Sequence, residues 1–384
     1  MTTRETLKKI LNRMGLGFLL AFLRSLRFFG YAVIDVFGWA LLGLPIYLLR
    51  RRVLKAEEVK KILIIRLDRV GDVVLSTPAI RAVRENYPNS RIDLLVAKYT
   101  KDLVIGNRNV DRIIIHKEKE LDKDYDVAIA LHPGLVQNHL VFKSGALWRV
   151  GYSGWGGSFF LTHRVKDDRA VRVRHEVLSA LEVVGRVGCT TKDVSLEVSQ
   201  TPEGNSEARA FLDANGIKPG EPYVVVHPGA RQEHIRWHHE RFAKVADRIA
   251  RECGLKIVLT GGALEADLVR QVKSLMRQQA ACATGLSLTG IVSLLKGSKI
   301  FIGNSTGPMH IAAALQIPVV AIISIMHPLD SLEVWGPWGT TSIVLHKDTG
   351  CKKCQPGNCL SYECLDQVSV EEVYGAVLSL LNKK

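Results

Sequence analysis

From Lys60 to the C-terminus, short β-rich apolar runs alternate with amphipathic helical stretches, and this rhythm restarts once, after a polar segment. KILIIR (61–66), RIDLLVA (91–97), RIIIH (112–116) and DVAIAL (126–131) form the first set, with a helical run over 73–85 and a basic one over 174–187. The segment SQTPEGNSEA, beginning at Ser199, then divides the chain. YVVV (223–226), KIVLTG (256–261), KIFIG (299–303) and PVVAII (318–323) form the second set, with a helix over His239–Arg251 after the first of them. Strands separated by helix-length connections require crossovers and parallel sheets. Two such sets predict an α/β protein of two Rossmann-like domains facing across a cleft. A length of 384 residues suffices for two cores. The predicted units are a helical extension (1–56), a first domain (57–205), a second domain (206–368) and a C-terminal helix (369–384). SVEE (369–372) is a capping box that opens this last helix, which in such an arrangement returns toward the first domain.

Ligands of open α/β sheets bind beyond the carboxyl ends of the strands, so the loops that follow strands carry the chemistry. The first strand runs into LDRVGDVVLSTPAI (67–80). Gly71 permits a tight turn there, and Asp72 begins the following helix. Its carboxylate either caps backbone N–H groups or projects into the cleft as a general base. His132, His139 and Trp148 fall on the same half and are candidates for the acceptor side by placement alone. In the second half, strand YVVV leads directly into HPGA, with His227, Gly229 and Ala230, and then into a basic stretch with Arg236 and Trp237. Small residues after a strand let backbone amides approach a phosphate. KIVLTGG is followed by Glu265, whose carboxylate can accept hydrogen bonds from vicinal hydroxyls. GNSTGPMHIAAAL (303–315) sets Ser305, Thr306 and Gly307 at a helix N-terminus, where the dipole favours an anion, with Pro308, Met309 and His310 on the first turn. Taken singly, Asp72 reads equally as a capping residue and His310 as a buried core histidine.

These strings together resemble the heptosyltransferases of glycosyltransferase family nine. The resemblance rests on R-x-x-x-x-GD-V followed by Thr77 and Pro78, on PGA before a basic–Trp step, on GG before an acidic residue, and above all on TGPMHIAAAL. It covers residues 60–384 in order and leaves the first 55 outside. It implies a glycosyltransferase B fold, with the acceptor on the first domain and the nucleotide sugar mainly on the second. It also implies inverting transfer without a divalent metal or cofactor, with Asp72 as the base that activates the acceptor hydroxyl. Thr306, Gly307, His310 and Arg236 would stabilise the leaving diphosphate, and Glu265 would contact the ribose. The resemblance points to ADP-heptose as donor and to a lipid-linked saccharide, such as lipopolysaccharide core, as acceptor. Two positions depart from the family pattern. Ser305 stands where Asp is usual, and Ile235 stands two residues before Trp237 where Lys is common. A changed donor, or a non-catalytic saccharide-binding relative, are the readings these departures open; an epimerase on the same architecture is a further alternative.

The net charge of +14 is concentrated. Residues 1–55 hold ten Lys or Arg against Glu5 and Asp35, interleaved with an apolar run from Phe28 to Leu49. That pattern points to an anionic membrane surface rather than nucleic acid. The run is long enough to span a bilayer, but Asp35, Pro45 and several glycines favour an in-plane or re-entrant anchor. The expected location is the cytoplasmic face of the inner membrane, peripheral or monotopic. Seven cysteines with three isolated do not form a secreted disulfide framework. Cys351, Cys354, Cys359 and Cys364 have the spacing of a structural zinc or iron–sulfur site, or are free or redox-paired thiols.

Overall fold

The computed structural model describes residues 26, 29–41, 55–118, 120–169, 171–232, 235–324, 331–350 and 362–382. Helix α1 covers residues 29–41. In the first half, β1 (Lys61–Arg66), α2 (Val70–Leu75), α3 (Thr77–Asn86), β2 (Arg91–Val96), β3 (Arg112–Ile115), β4 (Val127–Ala130), α4 (Leu135–Lys143), β5 (Trp148–Ser153), β6 (His163–Lys166) and α5 (Glu176–Gly185) follow one another. The second half comprises α6 (Pro202–Ala214), β7 (Tyr223–His227), α7 (His239–Cys253), β8 (Lys256–Thr260), α8 (Ala266–Leu275), β9 (Ala280–Ala283), α9 (Leu288–Lys296), β10 (Ile300–Asn304), α10 (Gly307–Ala314), β11 (Val319–Ile322), α11 (Leu332–Trp335), β12 (Ser342–Leu345), α12 (Glu363–Asp366) and α13 (Val370–Leu381).

Each half carries one parallel six-stranded sheet, ordered β3-β2-β1-β4-β5-β6 and β12-β11-β10-β7-β8-β9. Counting from the first strand of each half, both orders are 3-2-1-4-5-6, the doubly wound arrangement. The predicted strands are all present. β5, β6, β9 and β12 were not singled out from sequence: β6, β9 and β12 are four-residue edge strands and β5 lies beside an edge, where apolar content falls. The central strands are buried on both faces, as continuous apolar runs such as Ile62–Ile65 require.

The helical run predicted over 73–85 is two helices. Pro78 has no N–H to continue the first, and it sits in the opening turn of α3. Ser76 Oγ donates to the Asp72 carbonyl at 2.7 Å and Thr77 Oγ1 to the Val74 carbonyl at 2.7 Å, closing the end of α2. The capping box at Ser369 forms as expected. The last helix does not return to the first domain, however. Val373, Tyr374, Val377 and Leu380 of α13 join the apolar cluster of Val224, Ile249 and Ile300 on the second half, because these side chains complete the face that α7 leaves uncovered.

The two halves touch directly. One apolar cluster runs from Val73 and Ile80 through Leu294 to Met309 and Ile311. At its centre α2 lies against α10, and two glycines set the separation. A Cβ on Gly71 would sit 2.6 Å from His310 Cδ2, and one on Gly307 would sit 2.7 Å from Val70 Cγ1. Gly71 therefore does not serve a tight turn, as the sequence suggested. It lies inside α2 with ordinary helical backbone, and what it provides is close approach. His175 bridges the halves as well, with Nε2 donating to the Gly336 carbonyl at 3.0 Å and its ring 4.5 Å from that of Trp338. Overpacking of this kind costs about 1–3 kcal/mol. Gly71→Ala should therefore hold the halves apart, raising the radius of gyration by solution scattering and lowering transfer about tenfold or more.

Candidate active site between the two sheets

On the first half, β1 delivers Arg66 to the cleft end of the sheet, where its guanidinium is fully buried. It donates to the Leu131 carbonyl at 2.7 Å, to Asp72 Oδ1 at 3.0 Å and to Glu176 Oε1 at 2.9 Å, and its Nε lies 3.3 Å from Asp68 Oδ2. Burial works against the charge, but Asp68, Glu176 and Asp72 together outweigh it and keep the group protonated. Glu176 in turn accepts from Arg169 at 3.2 Å, and Arg169 Nε donates to Asp167 at 2.8 Å.

Asp72 is buried in the first turn of α2, with Oδ1 on Arg66 and Oδ2 accepting from the Arg69 N–H at 3.2 Å. One oxygen thus caps the helix, and the carboxylate stands where α2 meets α10. Each oxygen keeps a second lone pair. Asp68 is pushed up to about 6 by burial, which Asp72 reinforces and Arg66 opposes. His132 lies with Nδ1 3.3 Å from Asp68 Oδ2. Burial, helped by Arg66, lowers its pKa to about 4 against the opposing pull of Asp72 and Glu176. Of the three acceptor-side candidates, only His132 joins this cluster. His139 is exposed on α4, 5.5 Å from the Phe160 ring. Trp148 opens β5, at the end of the sheet opposite the cleft, and packs 5.0 Å from His163.

On the second half, Asn304 at the end of β10 ties the donor loops together. Its Nδ2 donates to the carbonyls of Pro228 and Gly229 at 3.0 and 3.1 Å, and its Oδ1 accepts from the Trp237 N–H at 2.9 Å. Sequence reasoning passed over Asn304; its only signal was its place just before the Ser–Thr–Gly step. Trp237 is fully buried, its Nε1 donating to the Val368 carbonyl at 3.0 Å. Arg236 is fixed by a 2.6 Å bond to the Ala230 carbonyl, while its Nε is buried without a partner among the described residues. His227 is buried, with Nδ1 3.1 Å from Thr260 Oγ1 and Nε2 3.8 Å from Glu265 Oε2, and burial lowers its pKa. Glu265 accepts from the Gly262 N–H at 2.9 Å and lies across Gly229, where any Cβ would overlap its carboxylate. Thr306 caps α10 as its first non-helical residue, Ser305 and Pro308 are half-buried beside it, and Met309 is wholly core. His310 is buried against Gly71, with Nδ1 unpartnered among the described residues, and burial aided by His175 lowers its pKa to about 3.

The sequence pattern of Glycosyltransferase family 9 (heptosyltransferase) matches residues 115–364. The chain belongs to this family. It is a glycosyltransferase, and the two facing sheets are the glycosyltransferase B fold. Lipopolysaccharide heptosyltransferase 3 of Escherichia coli K12 is 27% identical over 296 residues, covering 70% of this chain and 82% of its own. A family 9 glycosyltransferase structure from Veillonella parvula superposes with a TM-score of 0.72 at 25% identity, covering 85% of this chain and 98% of its own. The glycosyltransferase TibC of enterotoxigenic E. coli, described as iron-containing and dodecameric, shares the fold at a TM-score of 0.54 and 16% identity, covering 84% of this chain and 76% of its own. Among the described residues of this family 9 chain, no three His, Cys, Asp or Glu side chains converge on a metal position. Cys351, Cys354 and Cys359 lie outside the described residues, and Cys364 is half-buried in α12.

The site makes stability depend on pH with a definite sign. His132 and His310 stay neutral in the folded protein to about pH 4 and 3, whereas unfolded histidine takes a proton near 6.5. Each therefore favours folding above pH 6.5 and loses that contribution as pH falls, at about 1.4 kcal/mol per unit for the buried His310 and less for His132, whose ring is over a third exposed. Asp68 opposes one of them, because its folded pKa of about 6 makes it hold a proton that the unfolded chain releases. Thermal unfolding should show a net loss of stability as pH falls from about 6 to about 4.5, with the buried His227 and His175 adding to it. Asp68→Asn should steepen the slope and His310→Gln should flatten it.

Proposed function

We propose that this glycosyltransferase moves a heptose or related sugar from a nucleotide sugar, ADP-heptose first among candidates, to a lipid-linked saccharide such as lipopolysaccharide core. The observation that carries this is the contact of α2 with α10, which brings the Asp72 carboxylate to the loop that caps the donor helix. Support also comes from the relatives, one named as a lipopolysaccharide heptosyltransferase.

In this reading the acceptor hydroxyl attacks the anomeric carbon from the face opposite the diphosphate, inverting the configuration. Asp72 takes the hydroxyl proton through a free lone pair, while Arg66 and the Arg69 N–H hold the carboxylate in place. The C–O bond to the diphosphate breaks as the new glycosidic bond forms. The charge that develops on the leaving group falls at the N-terminus of α10, to Thr306, the first free N–H groups and Arg236. Glu265, held by Gly262 beside Gly229, is placed to accept from the ribose hydroxyls. This chemistry needs no cofactor, and a metal on Cys351, Cys354, Cys359 and Cys364 would be structural. The enzyme would act peripherally at the cytoplasmic face of the inner membrane, where a lipid-linked acceptor meets a soluble donor.

Ser305 and Ile235, which replace the acidic and basic residues usual in the family, make donor identity the first question. Calorimetry with ADP-, GDP-, UDP- and dTDP-sugars should show selective binding of the ADP-sugar; selective binding of another nucleotide would reassign the donor. Asp72→Asn should retain donor affinity and lower kcat by about 10²-fold or more, the usual worth of a general base. Transfer at wild-type rate in that variant would remove Asp72 from the role. Metal analysis of protein purified without chelator, set against the activity of metal-free protein, tests whether the cysteines hold a structural metal.

A further inference from the structure

The solved relative from Veillonella covers 98% of its own length but 85% of this chain, so this chain carries an addition to the family fold. Residues 1–55 fall outside the resemblance, and α1 is their described helix. Its packing is inverted relative to a soluble amphipathic helix. The side turned to the protein carries Asp35 and Gly38 together with two aromatic rings, Tyr31 and Trp39. Asp35 Oδ1 accepts from the Ser158 N–H at 2.8 Å, and a Cβ on Gly38 would overlap the Phe159 ring. Tyr31 lies against Gly156, where a Cβ would come within 2.7 Å of its ring, and the Arg164 guanidinium sits 4.2 Å over Trp39.

The apolar side faces outward. Phe29 is 67% exposed, Val36 68%, Phe37 66% and Leu41 79%. At about 100° per residue, Tyr31, Asp35, Gly38 and Trp39 share an arc of roughly 100°, and the four exposed side chains share the opposite side. Beneath α1 the buried Phe159 ring meets Phe160, which in turn meets the partly exposed Phe142, with ring centroids 4.2 and 4.9 Å apart. Beside Trp39, a groove of about 540 Å³ along the outer strand β6 is lined by Ser153, Thr162, His163, Arg164, Lys166 and Arg186. It holds three cations and no carboxylate. Neither Lys166 nor Arg186 makes an ion pair with a described residue.

We infer that α1 and this basic groove form one docking face for an anionic bilayer. The outward side chains enter the acyl boundary with the helix axis in the plane of the membrane, and Arg164, Lys166 and Arg186 take phospholipid phosphates at its rim. Two observations select the bilayer over a protein partner: an apolar face bordered by Lys166 and Arg186, which make no ion pair with a described residue, and ten Lys or Arg against two acidic residues in residues 1–55. Asp35 then stays out of the lipid, held by Ser158, and this removes the main cost of burying the segment. Among the described residues no helix is long and apolar enough to cross a membrane. The inference deepens the proposed function and rests on its lipid-linked acceptor for its purpose.

The test is flotation of the full chain with vesicles of phosphatidylcholine alone and with an equal part of phosphatidylglycerol, with ADP binding measured on the same samples. Wild type should float with the anionic vesicles. Phe37→Glu with Leu41→Glu should abolish flotation while ADP affinity stays unchanged. Lys166→Gln with Arg186→Gln should weaken partitioning on the order of 30-fold on anionic vesicles and little on neutral ones, at about 1 kcal/mol per basic residue. Undiminished flotation of the Glu pair would overturn the inference. So would light scattering that shows a dimer lost in that pair with flotation unaffected, since the face would then belong to a second copy. Competition by free glycerol phosphate at an affinity equal to that for vesicles would likewise replace a bilayer by a soluble phosphate. Flotation that behaves as expected in a protein inactive with ADP-heptose would instead leave the face standing and remove the proposed reaction.

Discussion

A single buried guanidinium organises the first half. Arg66 ends the central strand β1, and four groups converge on it: the Leu131 carbonyl and the carboxylates of Asp68, Asp72 and Glu176. A charge this deep is tolerated only when its hydrogen-bonding capacity is met. Removing it would leave carboxylates buried without compensation. The planar fork also fixes directions, which a lysine could not do. It orients Asp72 at the start of α2, and through Glu176 and Arg169 it reaches Asp167, which accepts from Trp155 at 2.6 Å. The chain of ion pairs thus ends at the loop on which α1 docks, so the proposed base and the proposed membrane face rest on one polar framework.

The second half uses a neutral counterpart. Asn304 ends the central strand β10 and joins three backbone groups of two separate segments, Pro228–Gly229 and Trp237. With no charge to desolvate, an amide can satisfy a donor and two acceptors at little cost. The loop it holds can therefore present open N–H groups and Arg236 to an anion. The two hubs come together because glycines line the contact between α2 and α10, and because His310 is small and neutral enough to be buried there.

The first 55 residues add a separate physical problem to this scaffold. A segment this apolar must be covered by protein or lipid. Within it, α1 grips the first half through Tyr31, Asp35, Gly38 and Trp39 and turns Phe29, Val36, Phe37 and Leu41 outward. A flexible tether would allow any orientation of the cleft. A helix clamped at Asp35, Gly38 and Trp39 gives the cleft one fixed attitude toward the surface that α1 meets.

Much of this was legible in the residues. Alternating apolar runs with restarts set two doubly wound halves, because period and spacing follow local backbone geometry. TGPMHIAAAL, HPGA and the GD pair identified the family and the loops that carry chemistry, since phosphate-binding turns leave compact local strings. What the strings could not give was distance between segments far apart in sequence. Glu176 lies 110 residues from Arg66, and Asn304 lies 67 from Trp237. Nothing local marks either as a partner. The role of Gly71 was misjudged for the same reason, because the atom it makes room for belongs to His310. Asp35 read as a charge misplaced in an apolar run until Ser158 supplied its partner. The sequence by itself determined the elements and the chemical vocabulary; only the tertiary structure decided which polar groups neutralise one another, because that depends on which strand ends the folded sheets bring together.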